Sequence, residues 1–569
     1  MFTISEKHND VLSETSESYK NLEDEQDIAL GLRNLNHPKK KSDKKESDSQ
    51  AIKLIKIVQD NPEMILFHDS YEEPYIRILN SDNRLKNLSL NSKVLKSSLT
   101  TIYYKTYGKP INRSSIGTAI DTLSGFAIDD GKEYELYNRI CNHNNAIWYD
   151  LGDYRAVRIT SNGWEIIDKP PILFKKYSHQ KSHNIIDNVG NIDDVHKIFN
   201  YINIVGYNER LLYEVNLVAD FIPNIPHSID VFCGESGSAK STTMKFKKCL
   251  VDPSSNLTLS LPKDRNELIQ MLSHNYHAVF DNVTYITQEQ SDIFCRAVTG
   301  DGFTKRALFT DDDDVSYNYK RCIGYTSINI AGTKSDLLNR SIIFELENIL
   351  DSNRRSEEDL WGNFNREKND IVKGIFSAVS KAMEIRPTIK LKSIPRMADF
   401  VLYGCAIAQA LGYTQDEFIN AYAENQKLQN IEVVESDIVG TYLMMFVDEM
   451  NISFKPYEYC VRDLYDKLTE YVRKEGYNIK SKSWPQDPKS LSRRLKRIMS
   501  NLKSEGLEIT HRTTNQCKKY ILTNHNQKKP ISEKKQNEIT AKKESEIINN
   551  KDTSEDYDCD DNTDDKWES

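Results

Sequence analysis

The sequence lacks several features that would place it in a narrow class. Its nine cysteines include no close Cys-x-x-Cys pair and form an odd set, so neither a disulfide framework nor a zinc site is indicated. The amino terminus lacks the basic-then-apolar order of a signal peptide, and the longest apolar run, residues 400–411, is too short to span a bilayer. These absences predict a cytoplasmic protein with reduced thiols and no membrane partner.

The size and composition of the chain favour several folded domains. It has 569 residues, of which 38% are hydrophobic and 28% are charged, with a net charge of −9. Because single cores seldom grow past about 250 residues, one compact fold is not expected. The negative net charge argues against a general nucleic-acid binder, but the charge is distributed so unevenly that its local balance matters more.

Apolar periodicity and turn residues divide the chain into a series of segments. Both ends have the composition of disordered, charged tails, and the last 19 residues hold nine acids against two lysines. Between the tails, strand and helix patterns alternate through a core that gives way to an almost wholly helical stretch. The predicted segments are tail 1–50, an α/β region with a β-meander at 51–180, core 185–350, helical lid 351–452, basic module 456–523 and tail 524–569.

The glycine-rich run at residues 234–242, GESGSAKST, is the most informative motif. It matches the phosphate-binding pattern G-x-x-x-x-G-K-[ST], except that Ala239 stands where a second glycine is usual, and a strand pattern precedes it while a helix pattern follows. Successive backbone N–H groups and the helix N-terminus would hold phosphates, Lys240 would pair the β- and γ-phosphates, and Ser241 would ligate Mg²⁺. We therefore predict ATP and Mg²⁺ as ligands. The predicted nucleotide contacts are Gly234, Glu235, Ser236, Gly237, Ser238, Ala239, Lys240, Ser241 and Thr242.

A functional P-loop needs a carboxylate at the end of a neighbouring strand to hold the Mg²⁺ shell. The apolar run at residues 277–280 ends in Asp281, about 40 residues after the P-loop, so we predict Asp281 as that carboxylate. Asn282 follows it, where many proteins of this architecture carry a glutamate that orients the attacking water. The catalytic base is therefore left open.

Further motifs follow the P-loop in a definite order and carry a family resemblance. They are Val251–Ser254, Leu261–Asp264, Asp281–Asn282, Thr299–Phe303, Asp336–Arg340 and Pro395–Phe400. In this order the chain resembles superfamily 3 helicases, and more closely the ATPase half of primase–helicase proteins from phages and mobile elements, over about residues 60–522. The resemblance implies an AAA+-like α/β P-loop core, assembly into a homo-oligomeric ring such as a hexamer, and a role in DNA replication. No primase carboxylate set is evident upstream, so a primase or other replication protein is expected as a partner.

The resemblance also implies roles for individual residues. Thr326 or Ser327 would be the sensor at the end of its strand. Arg340 looks like the arginine finger that a neighbouring subunit contributes, with an ordinary salt bridge at the start of a strand as the alternative. Arg396 looks like a second sensor arginine, with the same alternative.

A basic hairpin is expected after the Thr299–Phe303 motif. Lys305 and Arg306 would face the channel of the ring and grip phosphates, although a solvated hairpin fits them equally well. The acidic run at residues 311–314 invites a metal-site interpretation, but consecutive carboxylates between strands are more often a solvated turn.

The residue pattern of the basic module predicts two helices followed by two short strands. This is the order of a winged helix, which places its second helix on DNA. Residues 480–520 hold eleven lysines and arginines against three acids, a local excess that attracts phosphates. A solvated or protein-docking module is the alternative. The predicted nucleic-acid contacts here are Lys489, Arg493, Arg494 and Arg497.

Three functions compete at this point. The leading hypothesis is an ATP-hydrolysing DNA helicase or replication-initiation motor of a virus, plasmid or mobile element, acting as a ring. The second is a nucleotide-gated DNA-binding assembly protein with weak or no turnover, which the absence of a carboxylate at Asn282 favours. The third is a kinase, since a P-loop alone does not choose the phosphate acceptor, but the basic module argues against it.

Overall fold

A computed structural model describes residues 48–79, 84–300, 302–306, 314–317, 320–332, 334–391, 393, 396–450, 456–481, 483–513 and 518–525. The chain divides into two compact units between Val433 and Val434. The predicted tails lie outside the described residues except for residues 48–50 and 524–525, and so do residues 311–313 of the acidic run.

The first unit begins with a small α/β layer. Its helices are α1 (Gln50–Gln59), α2 (Lys93–Tyr107) and α3 (Arg113–Asp129). Its strands, in the order β3-β2-β1-β4, are β1 (Ile65–His68), β2 (Pro74–Leu79), β3 (Leu85–Ser89) and β4 (Lys132–Glu133). Each helix begins after a polar residue, Ser49, Ser92 or Asn112, whose side chain accepts a backbone N–H bond from the first turn.

An antiparallel meander follows. It consists of β6 (Ile140–His143), β7 (Ala146–Asp150), β8 (Ala156–Thr160) and β9 (Gly163–Ile167), paired in sequence order. Beside it, β5 (Leu136–Tyr137) pairs with β10 (Leu173–Phe174). The meander shares one buried core with the helices and strands that follow it in the first unit, since Tyr149 stacks on Phe221 and contacts Phe376. The sequence predicts a β-meander in this region, but it gives no sign of this shared core.

A four-stranded parallel sheet lies at the centre of the first unit. Its strands are β11 (Ile229–Cys233), β12 (His277–Phe280), β15 (Cys322–Thr326) and β16 (Ser341–Glu345), in the order β12-β15-β11-β16. They are buried almost throughout, as expected of a parallel sheet covered on both faces. The connecting helices are α4 (Tyr207–Ala219), α5 (Lys240–Val251), α6 (Arg265–His274), α7 (Gln288–Thr299) and α8 (Ser335–Leu338). A hairpin of β13 (Phe303–Arg306) and β14 (Asp314–Tyr317) precedes β15.

Long helices complete the first unit. They are α9 (Glu357–Ile385), α10 (Ala398–Ala410) and α11 (Gln415–Ser436), with 3-10 helices at Ile192–Asn200, Asp351–Asn353 and Arg386–Thr388. The last three residues of α11 lie beyond the division between the units. The side chain of Asn425 covers the edge strand β16, because its amide accepts from the Ile343 N–H at 3.0 Å and donates to the Ile343 carbonyl at 2.7 Å. An edge strand paired in this way offers fewer free backbone groups to another chain.

The second unit has the element order helix, strand, helix, helix and hairpin. These elements are α12 (Ile438–Glu449), β17 (Tyr457–Cys460), α13 (Val461–Lys474), α14 (Pro488–Ser504), β18 (Leu507–Thr513) and β19 (Lys518–Asn524). The strands form one antiparallel sheet in the order β17-β19-β18. Sequence patterns place α12 in the helical lid, whereas it packs against α13 and α14. Neither glycine nor proline separates α11 from α12, and the break is made by Asp437, which caps α12.

Two further features bear on the expected compartment. Among the described residues, no helix has both the length and the apolar character that a bilayer crossing needs. The cysteines described are all free thiols, namely Cys141, Cys233, Cys249, Cys295, Cys322, Cys405 and Cys460.

Candidate functional site

The carboxyl ends of three parallel strands bring the predicted nucleotide residues to one edge of the sheet. Phe232 of β11 pairs with Thr326 of β15, and Phe280 of β12 pairs with Tyr325. Gly234 follows β11 and Asp281 follows β12. The glycine-rich loop, the Asp281 carboxylate and the end of β15 therefore lie at the same level of the sheet. Strand β15 lies between β11 and β12, an arrangement that sequence patterns do not reveal.

Three residues of the glycine-rich loop have a positive φ. Gly234 and Gly237 have φ of 140° and 92°, and Ala239 has φ of 64°. A side chain at Gly234 would strike the Leu346 carbonyl, since a Cβ there would lie 2.3 Å from it. Ala239 therefore occupies the left-handed region that usually selects glycine. Because it is also the N-cap of α5 and cannot accept a hydrogen bond, the first-turn N–H groups of that helix have no side-chain cap.

The side chain of Lys240 folds back onto the loop. Its Nζ donates to the carbonyls of Gly234 at 2.7 Å and Glu235 at 2.6 Å, and to Ser238 Oγ at 3.3 Å. Its ammonium group therefore lies against the loop, beside the N-terminus of α5. A lysine ammonium beside a helix N-terminus is an arrangement that suits anions.

Two hydroxyl side chains converge on the Asp281 carboxylate, which follows β12. Ser241 Oγ and Thr326 Oγ1 both donate to Asp281 Oδ1, at 2.7 Å and 2.5 Å. The Thr326 hydroxyl in turn accepts the backbone N–H of Asn282 at 2.8 Å. Of the two sensor candidates, Thr326 makes this contact, while Ser327 Oγ is buried and has no hydrogen-bond partner among the described residues. Hydroxyl and carboxylate oxygens are ligands that suit Mg²⁺.

Neighbouring segments brace the loop, and sequence patterns do not identify them. The amide of Asn203 donates to the Ser238 carbonyl at 3.2 Å, and that of Asn348 donates to Glu235 Oε2 at 2.6 Å. Arg354 also lies close, since one of its terminal nitrogens would be 3.5 Å from a Cβ at Gly237. These residues come from the segments before α4 and after β16, which carry no motif.

The two arginines singled out by their motifs meet on one carboxylate. Arg340 Nη1 lies 2.6 Å from Asp336 Oδ1, and Arg396 Nη2 contacts the same oxygen. Burial alone would raise the pKa of Asp336, but the bonds from both arginines outweigh it and hold the pKa below its usual range. The Arg340 carbonyl accepts from Ile229 N–H at the start of β11. Arg340 therefore lies at the amino ends of the strands, opposite the glycine-rich loop.

A buried group of potential metal ligands lies at the amino ends of the strands. Asp220, His227 and Cys322 bring ligand atoms within 4.8 Å of one another. The ammonium of Lys247 already lies 2.9 Å from Asp220 and 2.5 Å from Asp230, and all three side chains are buried. An ammonium that already pairs with both carboxylates favours a structural ion cluster over a metal site.

The basic residues of the second unit take two different positions on α14. Lys489, Arg493 and Arg497 are exposed, as is Lys496, so they form one cationic face. Arg494 instead pairs with Asp437, its Nε lying 3.0 Å and 2.8 Å from the two carboxylate oxygens. This pair joins α14 to the N-cap of α12.

The predicted channel residues lie on the β13–β14 hairpin. Lys305 is paired with Val315 and Arg306 with Asp314 in its backbone register. Their side chains lie outside the described part of the structure.

Comparison with known families identifies the broader class of the chain. Residues 192–425 match the model of the actinomycete integrative conjugative element replication protein, and residues 439–541 match the model of the AICE RepA C-terminal domain. The chain is similar to replication proteins of mobile elements. The first match ends and the second begins on either side of the division between the two units. The expected link to DNA replication on a mobile element is thereby supported, and no curated protein matches the sequence.

Solved structures similar to this chain include those of the NrS-1 C-terminal region. The A form apo structure of residues 305–718 has 12% sequence identity and a TM-score of 0.37, and covers 84% of this chain and 100% of its own. Another apo structure of the same region gives the same values. A TM-score this low gives the likeness no weight for fold or function.

Proposed function

We propose that this chain is the Mg-ATP-hydrolysing motor of a replication protein, acting on DNA as a ring. The observation that carries the proposal is the convergence of Ser241, Asp281 and Thr326 beside the loop of Lys240, within hydrogen-bond distance of one another. In this proposal the core is a P-loop core of the AAA+-like type. The uncapped N-terminus of α5 and the Lys240 ammonium hold the β- and γ-phosphates.

The oxygen cluster suits a Mg²⁺ ion. Ser241 Oγ would be a direct ligand, and Asp281, already hydrogen-bonded to that hydroxyl, would hold the outer ligand shell. When bound, the ion supplies charge stabilisation to the transferring phosphoryl group. The protein's own contribution is positional, because Thr326 keeps the carboxylate oriented and fixes the backbone of Asn282.

The position of Arg340 supports action between subunits. It precedes β16, whose five residues run the length of the sheet towards the loop edge. At about 3.3 Å per residue this is a separation of roughly 16 Å, longer than an arginine side chain. Arg340 therefore cannot reach the loop of its own chain, whereas a neighbouring loop in a ring could receive it. In the isolated chain Asp336 holds both Arg340 and Arg396.

The second unit is the proposed DNA-binding module. Its order of helix, strand, helix, helix and hairpin is that of a winged helix, whose last helix lies on DNA. The exposed cationic residues of α14 would contact phosphates through Lys489, Arg493 and Arg497. Arg494 is assigned to the structure of the module because it pairs with Asp437.

A second candidate function is a nucleotide-gated DNA-binding protein with little turnover. Asn282 favours it, because an exposed amide stands beside Asp281 where a catalytic glutamate would orient water. Under this alternative, ATP would change the oligomeric state while hydrolysis stayed very slow.

ATP hydrolysis measured with and without single- and double-stranded DNA separates these functions. The motor predicts DNA-stimulated turnover that Lys240→Ala and Arg340→Ala each abolish. Mixing the two variants should restore part of the activity, because one supplies an intact loop and the other an intact arginine. If DNA leaves ATP turnover unchanged and no strands are separated, the motor function is excluded. ATP-dependent assembly with negligible turnover would establish the nucleotide-gated DNA-binding function.

A further inference from the structure

The α/β layer at the start of the first unit holds a strongly basic segment within an acidic chain. Residues 84–120, which include α2, contain seven lysines and arginines and no aspartate or glutamate, although the whole chain has a net charge of −9. Charges of one sign over such a length create a positive field at the surface that carries them. No residue of the proposed nucleotide site or of the second unit belongs to this segment.

One side of α2 faces solvent. Leu95, Leu99 and Tyr103 recur at four-residue intervals and are at most 3% exposed, so they attach the helix to the core and leave its opposite side uncovered. Five exposed residues on that opposite side form the α2 face, namely Lys93, Ser97, Thr101, Tyr104 and Lys105. The α2 face is therefore a surface of cations, hydroxyls and one aromatic ring.

The cations of this segment are not held by acids. Four exposed cations make no ion pair or side-chain hydrogen bond with another described residue, namely Lys93, Lys105, Lys109 and Arg113. On the neighbouring helix α1, Asp48 is already paired with Lys56 at 2.7 Å. Lys93 and Arg113 are also the first residues of α2 and α3, where the positive end of the helix dipole disfavours a cation. Helix stability therefore does not explain these charges.

Exposed tyrosines accompany the cations. Tyr104 is 56% exposed, and its ring contacts no other ring or cation among the described residues. Tyr107, 41% exposed, packs against Tyr103 with ring centroids 4.9 Å apart, and the Lys53 ammonium lies 5.6 Å from its centroid. A free ring beside cations can stack on an unpaired base while the cations contact the phosphates. The bases of a duplex already stack on one another, so a single strand fits this surface better.

We propose that the α2 face binds single-stranded DNA. Lys93 and Lys105 contact the phosphates, and Tyr104 stacks on an unpaired base. The 15 residues of α2 give the strand a track of about 22 Å, which Lys109 and Arg113 continue beyond the end of the helix. The proposal adds a strand-binding surface within the first unit to the function proposed above. It does not require ATP hydrolysis.

Binding of a fluorescent oligodeoxythymidine strand to the full-length chain, followed by anisotropy without ATP, tests the proposal. Arg493→Ala is present throughout, so that the second unit contributes less. Lys93→Ala and Lys105→Ala should each reduce the slope of log K against log salt concentration by about 0.7, the value for one phosphate contact on a single strand. Tyr104→Ala should weaken binding roughly fivefold or more at unchanged slope, because a base loses its stacking partner.

Two control variants separate binding from an effect on the fold. Tyr104→Phe keeps the ring and should bind the strand as the parent does. Lys381→Ala removes an exposed lysine of α9 that pairs with Glu384, and should change neither affinity nor slope. Because the replaced side chains are exposed, Tm should be the same in all variants.

A DNA hairpin of the same length tests the preference for a single strand. Tyr104→Ala should leave hairpin binding unchanged, because paired bases do not stack on the ring. An equal loss for hairpin and single strand would overturn the proposal. So would a parent that does not bind the single strand, or single-strand binding that the lysine and tyrosine substitutions leave unchanged. Since no ATP is present, these outcomes do not depend on whether the chain is a motor.

Discussion

The Asp252→Asn substitution tests the buried ion cluster that joins the meander to the parallel sheet. Asp252 Oδ1 accepts from Arg139 Nε at 2.9 Å, and Oδ2 accepts from Lys248 Nζ at 2.8 Å. Backbone N–H groups of Tyr276 and His277 also donate to Oδ2, at 3.0 Å and 3.2 Å. The ionic side chains are at most 2% exposed, so the asparagine would deprive two buried cations of the carboxylate that they share.

Breaking a buried ion pair from one side costs about 3–5 kcal/mol. The lower value, about 3 kcal/mol, is expected here, because the cations keep other acceptors. Arg139 still donates to the Asp150 carbonyl at 3.0 Å, and Lys248 to the His277 carbonyl at 2.6 Å.

The same substitution makes a prediction about pH. Burial alone would raise the pKa of Asp252, but Lys248 and Arg139 outweigh burial and hold the pKa far below its ordinary value. A carboxylate with a depressed folded-state pKa contributes its full stability above the unfolded-state value of about 3.9 and loses it as the pH falls towards the folded value. The difference between wild type and Asp252→Asn should therefore be constant from about pH 6 to 8 and shrink only below about pH 4.

Urea unfolding followed by circular dichroism at neutral pH measures this loss. Glu165→Gln is the control, because Glu165 pairs with Arg158 at 2.9 Å on the surface, with 49% and 36% of the side chains exposed, and should lose less than about 1 kcal/mol. If Asp252→Asn lost no more unfolding free energy than the control, the buried ion cluster would not stabilise the fold as predicted.

Three further predictions concern the site and the DNA-binding module. Ala239→Gly should keep ATP turnover and change the free energy of unfolding in urea by less than about 1 kcal/mol, because the relief of a positive φ is offset by the greater conformational entropy of glycine in the unfolded chain. A large loss of turnover would contradict the left-handed backbone conformation assigned to residue 239. Arg493→Ala should weaken DNA binding and reduce the slope of log K against log salt concentration by about one, without changing Tm. Arg494→Ala should lower Tm because Asp437 loses its ion-pair partner. Equal effects of the two variants on Tm would contradict the assignment of Arg493 to DNA binding and Arg494 to stability. Asn282→Glu should raise ATP turnover if a missing water-orienting carboxylate limits hydrolysis, and unchanged turnover would place that group elsewhere.

Local patterns of the sequence predict the elements of the nucleotide site well. A strand, a glycine-rich turn and a helix are short-range features, so the position of the loop and of Asp281 follows from neighbouring residues. The contact of Ser241 and Thr326 with that carboxylate depends on strand order instead. Placing β15 between β11 and β12 is a long-range property that periodicity cannot report.

The remaining features could not be predicted from the sequence, because they also depend on long-range packing. The pair of Arg139 and Asp252 joins residues 113 positions apart, and no local pattern marks an arginine as buried. The break before α12 depends on a single capping residue, Asp437, and is invisible to a search for glycine or proline. The basic pattern on α14 predicts a charged helix, but only packing separates the exposed Arg493 from the paired Arg494.

Equilibrium binding of ATP in the presence of Mg²⁺, measured by titration calorimetry on the full-length protein, tests the central claim most directly. Wild type should bind one ATP per chain. Lys240→Ala should bind ATP at least 100-fold more weakly, because the loss of a buried charged hydrogen-bond partner costs about 3 kcal/mol or more. Ser236→Ala keeps the backbone N–H that is predicted to contact phosphate and removes only an exposed hydroxyl, so it should bind as wild type does. Absence of ATP binding by wild type, or equal affinity in Lys240→Ala, would contradict the account.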